Sequence, residues 1–290
     1  MNVARAPREL GARPRAVALG TFDGVHLGHR RVLEAALSAA PALAPTVVTF
    51  WPHPRIVLGH DVGLLTTLDR RLELLEEAGV DETLVVEFSS ELADMEPEAF
   101  ATQLLRSIGT EVVVAGSDFR FGRGRRGDLG TFEELGLAVR SVELLPGYSS
   151  TAIRGLLRDG EVEGAAGLLG RPPEVEGTVV AGDARGGTLG YPTANLRVQP
   201  ELLVPAHGIY AGWAVGHRAA VSIGTNPHYG GLERRVEAFL LDFEGDLYGE
   251  RLIVELWRRL RDEQAFASED ELVAQISRDV EAAQMAERPV

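Results

Sequence analysis

A change of period divides this chain. From Ala16 to Leu144, short apolar runs alternate with helical stretches of roughly ten to fifteen residues. Beyond Pro172 and Pro173 the short runs continue, but no helical stretches separate them. The runs of the first part are Ala16–Leu19, Thr46–Phe50, Leu84–Phe88, Val112–Ala115 and Val139–Leu144. Between them, Leu27–Ala39 puts Val32, Leu33, Ala36 and Leu37 on one helical face. Thr67 caps a pattern running to Ala78, and Pro97 opens a helix over Glu98–Ile108. Strands alternating with helices predict an α/β fold with a parallel sheet covered on both faces, whose ligands bind beyond the carboxyl ends of the strands.

The second part predicts a small antiparallel barrel from Val175–Ala181, Gly208–Val215, Ala219–Ile223, Arg235–Phe243 and Leu252–Leu256. Ser268 and Glu271 form a capping box for a last helix, with Leu272, Ile276 and Val280 as its apolar stripe. The expected division is a domain over 13–157, a linker over 158–171 and a domain over 172–290. About a dozen residues before the first domain are expected to form a loose tail.

Composition removes whole classes of chemistry. The 290 residues include no cysteine, which excludes disulfides, thiolate catalysis and cysteine-bound zinc. Every basic residue is arginine, so a Walker-type loop, which needs lysine, is absent. A net charge of −14 disfavours general affinity for nucleic acid or an anionic membrane surface. No run approaches the ~18 apolar residues of a membrane span, and the N-terminus has no signal-peptide core. A cytoplasmic setting is expected.

Four segments meet at the predicted strand ends. The first, within Gly20–Leu33 (GTFDGVHLGHRRVL), is a glycine-bearing turn followed by a helix. His26 and His29 are three apart and share a face, and the helix start offers free N–H groups to an anion. The second is WPHP, Trp51–Pro54, a rigid turn about His53. The third, GSDFRFG (Gly116–Gly122), carries Asp118. The fourth, SSTAIR, offers Ser149, Ser150 and Thr151 as cap hydroxyls and Arg154 as a phosphate partner. Gly122, Gly124 and Gly127 spell a GxGxxG, but no strand leads directly into it and no ribose-binding acid follows at the proper distance. It reads as a mobile arginine-rich loop. In the second half, GDARGGTLGYPTAN (Gly182–Asn195) is rich in glycine. Thr193 and Asn195 alternate, so both face one side, either as a polar turn or as oxygen donors to Mg²⁺ and phosphate.

Taken together, GTFDGVHLGH, GSDFRFGRGRRGD, SSTAIR, PTAN, GIYAG, RRVEAFLLDFEGDLYGE and RLRDEQAF resemble the bifunctional bacterial riboflavin kinase/FAD synthetase family. The resemblance implies a Rossmann-like nucleotidyltransferase domain of the HxGH type. A six-stranded antiparallel β-barrel riboflavin kinase domain with a C-terminal helix would follow it. It implies that His26, His29 and Arg154 stabilise nucleotide phosphates, with Ser150 and Thr151 alongside. Gly20, Phe22, Asp23, Gly24 and Asp118 would lie near the nucleotide. Gly182, Gly186 and Asn195 would serve the kinase's ATP, Thr193 and Asn195 would hold Mg²⁺-ATP, and Glu237 would be the base. A carboxylate in a strand between apolar neighbours suits that role, though such a residue can also simply face solvent. ATP, riboflavin, FMN and FAD would be substrates and products, with flavoproteins as clients. Three positions depart from the family pattern: Ala152 stands where a basic residue is frequent, Gly187 replaces an arginine and His228 a threonine. Alternatives are a chain with one weak half, a non-catalytic flavin-binding protein, and an adenylyltransferase for another nucleotide, which would leave PTAN unexplained.

Overall fold

The computed structural model describes all residues except 12, 40–41, 144, 183–189 and 226–233. It contains two compact units, one of Met1–Val62 with Thr66–Ser149, the other of Gly63–Leu65 with Ser150–Val290.

The first unit is a six-stranded sheet with the order β1-β4-β3-β2-β5-β6 and every pair parallel. Its strands are β1 (Asn2–Ala4), β2 (Arg15–Leu19), β3 (Ala44–Trp51), β4 (Glu82–Glu87), β5 (Thr110–Gly116) and β6 (Ala138–Val142). The chain runs outward from β2 through β3 to β4, then returns to β5 on the other side of β2. That reversal makes the carboxyl ends of β2 and β5 the expected binding crevice. Both faces are apolar, as alternation along buried strands requires. Val17, Leu19, Val48 and Val113 pack with Phe100, Leu105 and Phe132 on one face. Ala18, Val47 and Val114 pack with Leu33, Ala36, Leu74 and Leu75 on the other.

The expected loose tail is an error of the sequence reading. Asn2–Ala4 pairs with Glu82–Leu84 as an edge strand, and Ala4 and Leu10 are buried in the core. Three residues are too short to show a period, so only pairing with β4 reveals the strand. The arginine-rich loop is also tied down. Phe121 and Gly127 exchange both backbone hydrogen bonds, the Arg123 N–H donates to Met95 at 2.8 Å, and Glu96 pairs with Arg123 and Arg126. A Cβ on Gly122 or Gly127 would lie 2.8 Å from the Pro97 ring. These glycines serve close packing, not a dinucleotide.

At the amino end of the sheet, a buried ion pair fastens three strands. Arg15 of β2 donates to Glu82 of β4 at 2.8 Å, and the Thr46 hydroxyl of β3 donates to the same carboxylate at 2.8 Å. The guanidinium also donates to the carbonyls of Gly11 and Ile108.

The second unit holds a closed barrel in the order β10-β11-β8-β7-β12-β9. Its strands are β7 (Glu174–Val180), β8 (Thr193–Val198), β9 (Gly208–Ala214), β10 (His217–Thr225), β11 (Arg234–Leu240) and β12 (Arg251–Arg261), all antiparallel to their neighbours. Val175, Val179, Tyr210, Val221, Val236, Ala238 and Val254 fill the interior. The stretch expected as a linker contains the helix Val162–Leu169, whose Val162, Ala165 and Leu169 join this core. The last helix, Glu269–Met285, is capped by Ser268, which accepts from the Glu271 N–H at 3.2 Å. Asp279 of that helix accepts from both Nε and Nη2 of Arg261 of β12.

Burial raises the Glu82 pKa, but hydrogen bonds from Arg15, Thr46 and Arg13 outweigh it, so the carboxyl falls from 4.5 to about 2. Such a depression contributes about 3 kcal/mol, fully present above the unfolded value and lost as pH falls from about 5 toward 2. Glu82→Gln should therefore weaken the first unit by about 3 kcal/mol at pH 7 and remove most of the difference by pH 2. Calorimetric unfolding across that range measures it.

Candidate functional site

The turn that leaves β2 lies at the crevice end of the sheet and enters the helix Leu27–Leu37. Its backbone is unusual: Phe22 has φ +50°, Gly24 +85° and Val25 +39°. Gly24 adopts such a φ at no steric cost, whereas a buried β-branched Val25 does so at about 1–3 kcal/mol. Burial and hydrogen bonds hold the turn. Phe22 and Val25 are in the core. The Gly20 N–H donates to Val48, and Thr49 donates to the carbonyl of Thr21 at 3.0 Å.

His26 is the N-cap, and its Nδ1 accepts the N–H of His29 at 3.2 Å. An accepting Nδ1 carries no proton, so the proton of the neutral ring sits on Nε2. The two imidazoles stack with centroids 3.6 Å apart, and Phe22 meets His29 edge-on at 5.3 Å. Gly28 explains the spacing of the motif: a Cβ there would lie 3.0 Å from the His26 ring. Gly20 has the same relation to Phe22, at 3.2 Å. The first turn of this helix contains no acidic side chain, so its N-terminal N–H groups and dipole, with two imidazoles beside them, favour an anion there.

The other expected residues of this unit lie in different surroundings. Asp23 is buried and accepts from Thr66 and Arg71, so its carboxylate is turned into the protein. Asp118 is exposed, just past the carboxyl end of β5. His53 is buried and caps the short helix Pro54–Val57 by accepting the Arg55 N–H at 3.2 Å.

Ser150 and Thr151 begin the helix Ser150–Asp159, which belongs to the second unit and sends Ile153 and Leu157 into its core. Arg154 on that helix is buried and donates from Nε to the carbonyl of Gly63 at 2.9 Å.

On the barrel, β8 and β11 turn alternate residues outward. Val236, Ala238 and Leu240 point in, so Arg235, Glu237 and Phe239 point out. The register sets Glu237 opposite Asn195 and Phe239 opposite Thr193. Thr193 Oγ1 donates to Glu237 Oε2 at 3.4 Å, and Arg235 lies 3.5 Å from the other carboxylate oxygen. Asn195 donates to the Thr193 carbonyl at 3.3 Å, leaving its amide oxygen for another partner. A Cβ on Gly182 would lie 2.4 Å from that amide, so any side chain there must displace it. Gly186, Gly187 and His228 lie outside the described residues.

Sequence reasoning overlooked three contributors. Arg71 and Thr66 hold Asp23, and Tyr191 shares a 2.7 Å hydrogen bond with Ser277 of the last helix while meeting Phe239 edge-on at 5.3 Å. Arg71 did leave a signal, a charge on the otherwise apolar stripe of Leu68 and Leu75. Among the described residues no group of three or more His, Asp or Glu could hold a metal ion. The oxygen set of Thr193, Asn195 and Glu237 suits a hard cation that brings most of its own ligands.

Comparison with known proteins covers both units. Residues 10–152 match the FAD synthetase family and residues 169–286 the riboflavin kinase family. The bifunctional riboflavin kinase/FMN adenylyltransferase of Listeria monocytogenes is 36% identical over 282 residues, 91% of this chain and 90% of that protein. The Escherichia coli K12 protein of the same name is also 36% identical, over 96% of this chain and 93% of its own length. The Bacillus subtilis one is 34% identical over 91% and 89%. A crystal structure described as a macrolide-efflux protein from Streptococcus pneumoniae superposes with a TM-score of 0.88 at 32% identity, covering 98% of this chain and 99% of that one. No described helix is long and apolar enough to cross a membrane.

Proposed function

This chain belongs to the bifunctional riboflavin kinase/FMN adenylyltransferase family, and on that premise we propose which of its residues carry each reaction. It phosphorylates riboflavin to FMN with ATP, then adenylylates FMN with a second ATP to give FAD and pyrophosphate.

We assign the kinase step to the outer face of β8 and β11. Glu237 takes the proton of the terminal ribityl hydroxyl, whose oxygen attacks the γ-phosphorus of ATP while ADP leaves. The observation that carries this reading is the carboxylate beside a hydroxyl and an amide on one outward, half-buried face, 3.4 Å from Thr193 and in register with Asn195. Thr193 and Asn195 would hold the Mg²⁺ that enters with ATP as part of the substrate, an ion that would offset phosphate charge. Gly182 lets the backbone pass beside Asn195, and Gly186 belongs to the same nucleotide stretch by its motif.

Adenylyl transfer is assigned to the turn after β2. An FMN phosphate oxygen attacks the α-phosphorus of ATP and pyrophosphate departs, so the protein's task is alignment and charge stabilisation. His26 Nε2–H and His29 donate to phosphate oxygens from the helix start, Gly20 and Gly24 allow the backbone's approach, and Phe22 buttresses His29. Asp118 contributes near the nucleotide. By their motif, Arg154, Ser150 and Thr151 are phosphate-binding candidates on the helix that opens the second unit.

Chromatography of the protein incubated with riboflavin, ATP and Mg²⁺ should show FMN first and FAD after it. Glu237→Gln should cut FMN formation about 10²–10⁴-fold while leaving FAD formation from added FMN intact. His29→Ala should do the reverse. Either variant abolishing both steps would overturn the division of labour.

Gly182→Ala should push the flexible Asn195 amide aside without unfolding the barrel. Riboflavin phosphorylation should fall roughly tenfold at an unchanged melting temperature, because a displaced ligand misaligns the phosphates.

A further inference from the structure

Asp23 and Arg71 form an ion pair that the proposed chemistry does not use. Their side chains are 1% and 0% exposed, and Arg71 Nη2 lies 3.4 Å from Asp23 Oδ1. The same Asp23 oxygen accepts the N–H and the hydroxyl of Thr66, each at 3.2 Å. Thr66 Oγ1 in turn accepts the N–H of Gly24 at 3.3 Å. Arg71 also donates to the carbonyl of Phe50 at 3.5 Å and lies 5.5 Å from the centre of the Trp51 ring. One pair thus links the turn after β2, the end of β3, Thr66 and the helix Leu68–Glu77.

A buried ion pair is a poor device for stability alone, since apolar residues of similar volume do as well. What this pair constrains is specific. The turn it grips carries the left-handed Phe22, Gly24 and Val25, and the next residue is His26. The direction in which His26 enters the helix fixes its cap bond to His29 and the 3.6 Å stack of the two rings.

We infer that Arg71 is a positioning residue for adenylyl transfer: with Asp23 and Thr66 it holds the turn so that His26 and His29 face the phosphates. This inference rests on the assignment of adenylylation to that turn. The pair serves alignment, and Asp23 acts through the backbone it anchors and not by touching a phosphate.

The test compares full-length wild type with Arg71→Met, the neutral double variant Asp23→Asn/Arg71→Met, and Arg71→Lys. The double variant should unfold near the wild-type midpoint and phosphorylate riboflavin normally. Its kcat for converting FMN to FAD should fall about 100-fold, with KM for ATP and FMN within about threefold, as expected for misplacement without lost binding. Arg71→Lys should recover part of kcat. The ring-current-shifted proton resonances of the stacked imidazoles should be lost in the double variant and return in Arg71→Lys. An unchanged kcat in the double variant, or a lost kcat with the stack intact, would overturn the inference. Should the double variant fail to fold, Thr66→Val removes one hydroxyl and no charge. It should lower kcat about tenfold and weaken the stack signature, and an unaltered stack there would overturn the inference. If wild type makes no FAD from FMN, the assignment of function fails, and the imidazole resonances still decide whether the pair positions the histidines.

Discussion

Successive side chains on a strand point to opposite faces, and what covers those faces decides where chemistry can occur. In the first unit the central strands are buried on both faces, so Val17 and Leu19 pack on one side and Ala18 on the other. The polar side chains buried on those strands, Arg15, Thr46, Thr49 and Glu82, are taken up by structural hydrogen bonds, and the residues proposed for adenylyl transfer sit past the strand ends. In the second unit the barrel closes on an apolar interior, and the other half of each strand faces outward. Glu237 and Asn195 use that freedom: the alternation that buries Val236 and Ala238 presents the carboxylate beside its partners. The same rule therefore draws one proposed site from loops and the other from strands.

The strand-end site requires more support than the strand-face site. On β8 and β11 the ladder itself fixes register, and a single glycine, Gly182, supplies the clearance for Asn195. The turn after β2 has no ladder. It holds bulky residues at positive φ, and its conformation is determined from outside by core packing of Phe22 and Val25 and by the bonds to Asp23 and Gly24. Strain of this kind persists only where the surroundings over-determine the backbone. The buried charges at Asp23 and Arg71 belong to those surroundings.

Much of this was legible in the residues. The change of period at Pro172 and Pro173 separated a helix-and-strand sheet from a strand-only barrel, and the cap at Ser268 and the histidine pair at His26 and His29 lie where their patterns placed them. The short edge strand Asn2–Ala4 was not legible, because three residues cannot display a period and its partner Glu82–Leu84 is remote in sequence. Gly122 and Gly127 read in sequence as part of a mobile loop, because the Pro97 ring that packs against them is remote in sequence.

What the sequence by itself determined was local: which segments are strands or helices, where they start, and which residue types stand together in a motif. These follow from backbone preference and side-chain period, which act over a few residues. Tertiary structure alone decided the pairings across distance. It set Glu82 against Arg15, brought Thr66 and Arg71 onto Asp23, and grouped Arg154 with the barrel unit. It also gave Gly28 its reason, because only the folded turn brings the His26 ring to where a methyl would stand. Partners of a buried charge are chosen by the cost of leaving it unpaired, and that cost is felt only when the fold closes around it.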